Sequence, residues 1–516
     1  RALSMTDLDL SRARIAVIGS GTMGIGIAQL AIVNGHSTVL YDLDAQKAQQ
    51  AVEGLEQTFK KLVEKSKLTE QQADEALARL TVVNQVEALR DADLVIEAVV
   101  EKKEVKQSLF KQLAEICSAQ TIFASNTSSI SVTAISAGIT HPERVVGLHF
   151  FNPAPVMKLV EIVQGLKTPN SLCLVLKNLM LNWKKIPVLT KSTPGFIVNR
   201  IARPFYAEGF RALQEQVTSY DRLDYALKQC GGFAMGPCEL TDLIGQDVNF
   251  SVTQSVYQEF FYEPRYRPSL IQKELVDAGA WGRKSKQGFY SYNEKNQYET
   301  FQPQAVVAKP IDTHIQLKGT WSQLPAFLTR LGLKGGSASD DNILQIDDID
   351  LRLSQGESAN IHYLSRKVVL MDWHHDFEHA EALVLSHNEL CEASDLAKVE
   401  AYFAQFGISV MWIKDHPALL TLRTIALLIN EACEASLHGV ASLEDIDNAM
   451  KYGVNYPKGP YQWLTQMGGA YVLQTLNNLY ALYGEEKYRA SIYLKQYVAK
   501  TQNIATQYSR DMTEFA

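Results

Sequence analysis

Gly19-Ser20-Gly21-Thr22-Met23-Gly24 stands between an apolar run, Ile15-Ala16-Val17-Ile18, and a segment from Gly21 to Ile32 in which Ile25, Ala28 and Ile32 recur at helical spacing. A strand that enters a helix through three glycines leaves few folds open. The turn must be tight, the backbone must stay bare where a pyrophosphate approaches, and helix must pack closely on strand. The unpaired amides and dipole of the helix N-terminus then favour a phosphate. Ser37-Thr38-Val39-Leu40-Tyr41 reads as a second strand, and a long charged helical region follows from about Ala45 to Leu80. Leu94 to Val100, Thr121 to Ser125 and Val145 to Leu148 repeat the buried-strand theme. Strands alternating with helices predict a doubly wound, mainly parallel α/β sheet whose ligand lies beyond the strands' C-terminal ends.

At 516 residues the chain exceeds one core; a prior of roughly 150 residues per domain predicts three or four. Hydrophobic residues at 46% and charged residues at 21% are ordinary for a globular protein. A net charge of −7 over this length gives no basic footprint, so neither nucleic acid nor an anionic membrane surface is an expected partner. The six cysteines show no Cys-x-x-Cys spacing and read as reduced, buried thiols. With no apolar run near the roughly 18 residues that span a bilayer, a cytoplasmic location is expected.

The second strand ends at Asp42, eighteen positions after Gly24. A carboxylate there accepts hydrogen bonds from ribose hydroxyls and repels a 2′-phosphate, which predicts NAD rather than NADP on a Rossmann-type domain. Further on, His149-Phe150-Phe151-Asn152-Pro153 follows a strand, and Glu161 closes Lys158-Leu159-Val160-Glu161 after a turn marked by Pro153 and Pro155. Histidine suits proton removal near neutrality, and a carboxylate on its other ring nitrogen fixes the tautomer and favours the imidazolium. Hydride acceptance by a cofactor and proton acceptance by His149 are together the halves of alcohol oxidation. Ser128, in Asn126-Thr127-Ser128-Ser129, is a candidate donor to a substrate oxygen, although serine after a strand also caps helices.

These motifs resemble the short-length L-3-hydroxyacyl-CoA dehydrogenases, including 3-hydroxybutyryl-CoA dehydrogenases, from about Ala13 to Tyr292. The similarity rests on Gly19-x-Gly21-x-x-Gly24, Ile96-Glu97-Ala98-Val99-Val100-Glu101, Ser125-Asn126-Thr127-Ser128-Ser129, His149-Phe150-Phe151-Asn152-Pro153 and Thr193-Pro194-Gly195-Phe196-Ile197-Val198-Asn199-Arg200. The resemblance implies His149 as base, Glu161 as its orienting partner, and Ser128 and Asn199 as supports of the substrate oxygen and His149. It implies cofactor contacts from the glycine loop, Asp42, Glu101, Lys106, Ser128 and Lys284. For coenzyme A the family uses a hydroxyl and a lysine on the helix after the second strand, matched here to Thr58 and Lys65, with Lys60 or Lys61 equally placed.

From Thr193 the pattern changes to long amphipathic helices. Pro194, Asp224, Gly236, Pro237 and Gly245 recur as Pro417, Asp447, Gly459, Pro460 and Gly468, each 223 residues later. The expected organisation is therefore a nucleotide domain with the catalytic residues at 12–191, an all-α domain at 192–300, a small α/β spacer at 304–414, and a second helical copy at 415–516. In that copy Leu422 replaces Asn199, so it is expected to be structural. The spacer, without a second Gly-x-Gly-x-x-Gly, reads as a degenerate nucleotide fold. The resemblance implies that the helical domain closes the substrate cleft and mediates dimerisation. A face that would pair with another subunit can instead pair with its duplicate, so a monomer built as an internal pseudo-dimer and a homodimer are both open. Chains of this length with a duplicated helical domain occur among dehydrogenases of phenylacetate breakdown, which implies a 3-hydroxyadipyl-CoA substrate; 3-hydroxybutyryl-CoA is the alternative.

Two rivals come from other classes. His375-Asp376-Phe377-Glu378-His379 has a spacing that on a helix would set two imidazoles on zinc with a glutamate as base. It follows a strand directly, reads as a solvated turn and lacks an obvious third ligand, so no metal is expected. A non-catalytic NAD-binding protein is the other, against which the intact His149, Glu161, Ser128 and Asn199 set speaks.

Overall fold

The computed structural model describes residues 8–336, 339 and 341–502; the end of the second helical copy, 503–516, lies outside them. The chain forms two compact units. One comprises the chain up to Arg200 together with His438–Val454, the other Ile201–Leu437 and the chain from Asn455 onward.

Among the described residues, the first unit carries an eight-stranded sheet: β1 (Ile15–Ile18), β2 (Thr38–Tyr41), β3 (Leu80–Val83), β4 (Leu94–Glu97), β5 (Ile122–Ser125), β6 (Val145–Phe150), β7 (Leu159–Gln164) and β8 (Ile186–Lys191), in the order β3-β2-β1-β4-β5-β6-β7-β8. Neighbours are parallel except β6 and β7, which form an antiparallel pair. This is the Rossmann-type doubly wound sheet with an antiparallel extension. Ile15 and Val17 enter one core with the Thr22–Val33 and Asn170–Asn182 helices, while Ala16 and Ile18 enter another with Phe110 and Phe123. Successive side chains thus bury on opposite faces, which is why the strands read as continuous apolar runs rather than alternating ones.

The second unit holds a six-stranded mixed sheet of β9 (Ile315–Lys318), β10 (Ile343–Ile346), β11 (Ile349–Leu353), β12 (Lys367–Met371), β13 (Ala382–His387) and β14 (Ser409–Trp412), ordered β14-β13-β12-β11-β10-β9. The repeat reaches further upstream than the shared prolines and glycines disclose. β13 stands 223 residues after β7, residue for residue, and the Ala393–Ala404 helix and β14 fall at the same offset from the Asn170–Asn182 helix and β8. β12 pairs antiparallel with β13 as β6 does with β7. At the positions of the expected base and its partner the echo fails: Asp372, just after β12, stands at the 223 offset from His149, the penultimate residue of β6, and Val384 stands at that offset from Glu161.

Within this unit the Arg203–Gln214 helix packs on the Thr421–Leu437 helix of the second copy. Buried Glu208 on the first takes Arg423 Nε at 2.7 Å, Lys487 Nζ at 2.8 Å and the Tyr488 hydroxyl at 2.9 Å. Its counterpart at the 223 offset, Glu431, binds Arg265 and Tyr266 from the first copy. Each helix therefore receives cations from the other's copy, a reciprocal arrangement of the kind found between symmetric subunits. The His375–His379 segment is a turn, not a helix, with His379 Nδ1 held by Asp376 at 2.9 Å. The helix on which this spacing would set two imidazoles on zinc is therefore not formed.

Candidate active site

The glycine turn closes as its residue types dictate. A Cβ on Gly24 would lie 1.9 Å from the Gly19 carbonyl oxygen, and Gly19 itself has φ +99°. No other residue fits either position. Gly19 to Met23, Tyr41, Asp42 and Ala98 to Val100 line a cleft of about 930 Å³ over the sheet's C-terminal edge, ample for half of a dinucleotide. Asp42 Oδ2 accepts from the Ser20 hydroxyl at 2.6 Å and the Ser20 amide at 2.9 Å. Partial burial works against its charge, but those bonds and the Asp44 amide outweigh it and keep the carboxyl below its usual range. An anionic Asp42 at this edge suits ribose hydroxyls and opposes a phosphate.

A run of hydrogen bonds follows the strand ends from this cleft to the histidine. Ile18 O accepts from Ala98 N at 2.8 Å, Glu97 O from Asn126 N at 2.9 Å, and Asn126 Oδ1 from Phe150 N at 2.8 Å. Asn126 thereby ties β5 to the residue after His149. The β6–β7 register places Glu161 directly opposite His149, and the two side chains meet: Nδ1 to Oε1 is 2.9 Å, with His149 6% and Glu161 1% exposed. The second carboxylate oxygen accepts the amides of Ile197 at 2.9 Å and Val198 at 3.4 Å. Asn199 follows immediately, so the Thr193–Arg200 motif is brought to the dyad through Glu161. Phe151 covers the imidazole at a ring separation of 4.5 Å and Phe196 meets it edge-on at 5.9 Å. An ionised carboxylate only accepts, so the hydrogen of this bond sits on Nδ1, and in the neutral ring Nε2 is left as acceptor.

Between cleft and dyad, Glu101 Oε2 accepts from the Ser128 amide at 3.0 Å and hydroxyl at 3.1 Å, and its Oε1 from the Thr127 hydroxyl at 2.8 Å. The capping of the short helix that follows falls to Ser131, not Ser128. Lys106 is 1% exposed and binds both oxygens of Glu97 at 2.8 Å, with Glu101 3.5 Å away and Ser125 bonded to Glu97 behind it. This buried pair fixes geometry more than it adds stability. Thr58 and Lys65 are exposed, Thr58 on the Ala45–Glu64 helix and Lys65 as its C-cap, two turns apart and so on one side. Lys284 lies in the second unit, ion-paired with Asp247 at 2.7 Å. Sequence reasoning missed Asn126 and Phe151 as supports of His149; only their adjacency to named motif residues hinted at them.

A sheet edge that offers a dinucleotide cleft and an imidazole oriented by a carboxylate serves the two transfers of alcohol oxidation, which defines an alcohol dehydrogenase of the dinucleotide-dependent class. Residues 14–193 match the model for the 3-hydroxyacyl-CoA dehydrogenase NAD binding domain, and 195–292 and 420–507 both match that for the 3-hydroxyacyl-CoA dehydrogenase C-terminal domain. Residues 351–417 match a 3-hydroxybutyryl-CoA dehydrogenase reduced Rossmann-fold domain. The chain is 46% identical to the 3-hydroxyadipyl-CoA dehydrogenase of Escherichia coli K12 over 93% of its own length and 96% of the relative's. It is 38% identical to the 3-hydroxybutyryl-CoA dehydrogenase of Bradyrhizobium diazoefficiens, over 54% of this chain and 95% of that one. A crystal structure described as 3-hydroxybutyryl-CoA dehydrogenase from E. coli K12 superposes with a TM-score of 0.87 at 44% identity, covering 96% of this chain and 99% of that one. The chain belongs to the 3-hydroxyacyl-CoA dehydrogenase family and is an NAD-dependent enzyme of that kind. No helix among the described residues is long and apolar enough to cross a membrane.

Proposed function

We propose that this enzyme oxidises (3S)-3-hydroxyadipyl-CoA to the 3-oxoacyl-CoA, with His149 as base, Glu161 as its positioning residue, and Ser128 and Asn199 on the substrate oxygen and His149. The observation that carries the substrate is the match along both halves of the chain to a relative named for 3-hydroxyadipyl-CoA, whereas the short relative described above covers only 54% of it. A second reading, 3-hydroxybutyryl-CoA, is favoured by the description of the full-length structural neighbour. Comparing kcat/KM for the two substrates tests the choice: a higher value for hydroxyadipyl-CoA supports the first, a higher value for hydroxybutyryl-CoA overturns it.

Bound NAD supplies the hydride acceptor. The chain's own part is to hold it at Gly19 to Gly24 and Asp42, with Glu101, Ser128 and Lys284 as further contacts and Lys106 bracing the carboxylates from behind. His149 Nε2 takes the proton of the 3-hydroxyl, and the charge then on the ring is stabilised by Glu161 across 2.9 Å. Two amides on Glu161 prevent it from turning away. We place coenzyme A along Thr58 and Lys65, with Lys60 and Lys61 as equivalent cations. The domains run 12–191, which holds catalysis, 192–300, 304–414 and 415–516, and the enzyme is cytoplasmic, in keeping with six buried, unpaired cysteines. The reciprocal carboxylate contacts of the helical copies favour a monomer over a homodimer.

A further inference from the structure

We infer that the Leu443–Gly453 helix, part of the second, non-catalytic copy by sequence, is a positioning element for the His149–Glu161 dyad. The inference rests on the dyad reading above.

This helix lies with the first unit, against β7 and β8. β8 is an outer strand of its sheet, and outward-facing amides there need partners. Alternate residues share one direction: Pro187 has no amide to offer, Leu189 N donates to Asp445 Oδ2 at 3.1 Å, and Lys191 N donates to Val440 O at 3.0 Å. The duplicate thus seals the edge beside the dyad. Its C-terminal end goes further. A Cβ on Gly453 would stand 2.8 Å from Leu159 Cδ2 and 2.9 Å from Val198 Cγ2. Leu159 begins β7 two residues before Glu161, and the Val198 amide is one of the two that grip Glu161. His438, at the start of the same segment, has Nδ1 3.5 Å from Arg200 Nη2, next to Asn199. The segment therefore presses on both stretches of chain that hold Glu161 in place.

The same docking occurs a second time. In the second unit the Tyr220–Gly231 helix, 223 residues earlier, packs on β13, and Lys414 N donates to Val217 O at 3.2 Å as Lys191 does to Val440. There the seat holds Asp372 and Val384 and no imidazole–carboxylate pair. Only one of two equivalent dockings faces chemistry, so disturbing it should alter rate as well as stability.

The test uses the full-length enzyme with Gly453→Val and Gly453→Ala, each alone and combined with Val198→Ala. We expect Gly453→Val to lower kcat by about tenfold or more, since displacements near 1 Å carry such penalties, with KM for NAD unchanged and the acidic limb of the pH–kcat profile for oxidation, where the base gains its proton, displaced. Adding Val198→Ala, which vacates the space, should restore most of the loss. A folded Gly453→Val enzyme with parental kcat and pH profile overturns the inference. If Gly453→Val does not fold, the Ala pair decides: kcat effects at 453 and 198 that simply multiply also overturn it, while a double variant faster than that product supports it. His149→Gln runs alongside, because near-normal turnover in that variant would sink the dyad reading itself, whatever Gly453 does.

Discussion

His149 can present Nε2 to a substrate because Nδ1 is committed to Glu161, and Glu161 stays in place because two backbone amides occupy its other oxygen. Replacing His149 with Gln removes the proposed base without emptying the space. Turnover should fall about 10²- to 10⁴-fold while NAD binding, measured by calorimetry, persists. In the glycine-turn cleft, Asp42 is the residue proposed to set the cofactor choice. Asp42→Ala should weaken NAD by about tenfold, the order of one lost charge-assisted bond, and narrow the NAD over NADP preference; unchanged ratios of kcat/KM for the two cofactors would remove Asp42 from that role.

Among elements, the Thr421–Leu437 helix starts on a carboxylate that stands at the 223 offset from His149. Asp372, in the place of His149, accepts the amides of Leu420, Thr421 and Leu422 at 2.8–3.0 Å, taking over what Glu161 does for Ile197 and Val198. Burial pushes its carboxyl up to about 7 against the pull of those amides. A carboxyl that holds its proton more firmly folded than unfolded contributes stability that is full below about pH 4 and declines as pH rises to about 7. Asp372→Asn should flatten that slope, so the difference in Tm between pH 5 and pH 8 shrinks relative to the parent. An identical pH dependence in both proteins would show that Asp372 does not titrate in this window.

At the scale of the whole molecule, the two helical copies are tied together through buried charges. Glu208 is the test point, since it is buried between two cations and a tyrosine of the other copy. Glu208→Gln leaves Arg423 and Lys487 without their anion. Breaking a buried pair from one side costs about 3–5 kcal/mol, so chemical denaturation should show a loss of that order with m unchanged. A variant within about 0.5 kcal/mol of the parent, the scatter of ordinary surface substitutions, would show that the copies are held otherwise.

The amino-acid sequence alone determined the nucleotide fold, the glycine turn, Asp42, and the partnership of His149 with Glu161, because these depend on local chemistry: period, turn residues, and strand-end position. It also disclosed the helical duplicate, since Pro, Gly and Asp at cap and turn positions survive repetition. What it left hidden lies in long-range packing. That β12 to β14 are a second β6 to β8, with Asp372 standing where His149 would, is visible in strand register rather than in residue identity, because buried apolar runs are interchangeable as sequence. That Glu101 receives Ser128, that Lys106 turns inward to Glu97, and that a helix from the far duplicate closes the catalytic sheet's edge were decided by tertiary structure alone. Side-chain hydrogen bonds leave no periodic trace in the chain that makes them, whether they span 9 residues, as Lys106 to Glu97, or 256, as Leu189 to Asp445.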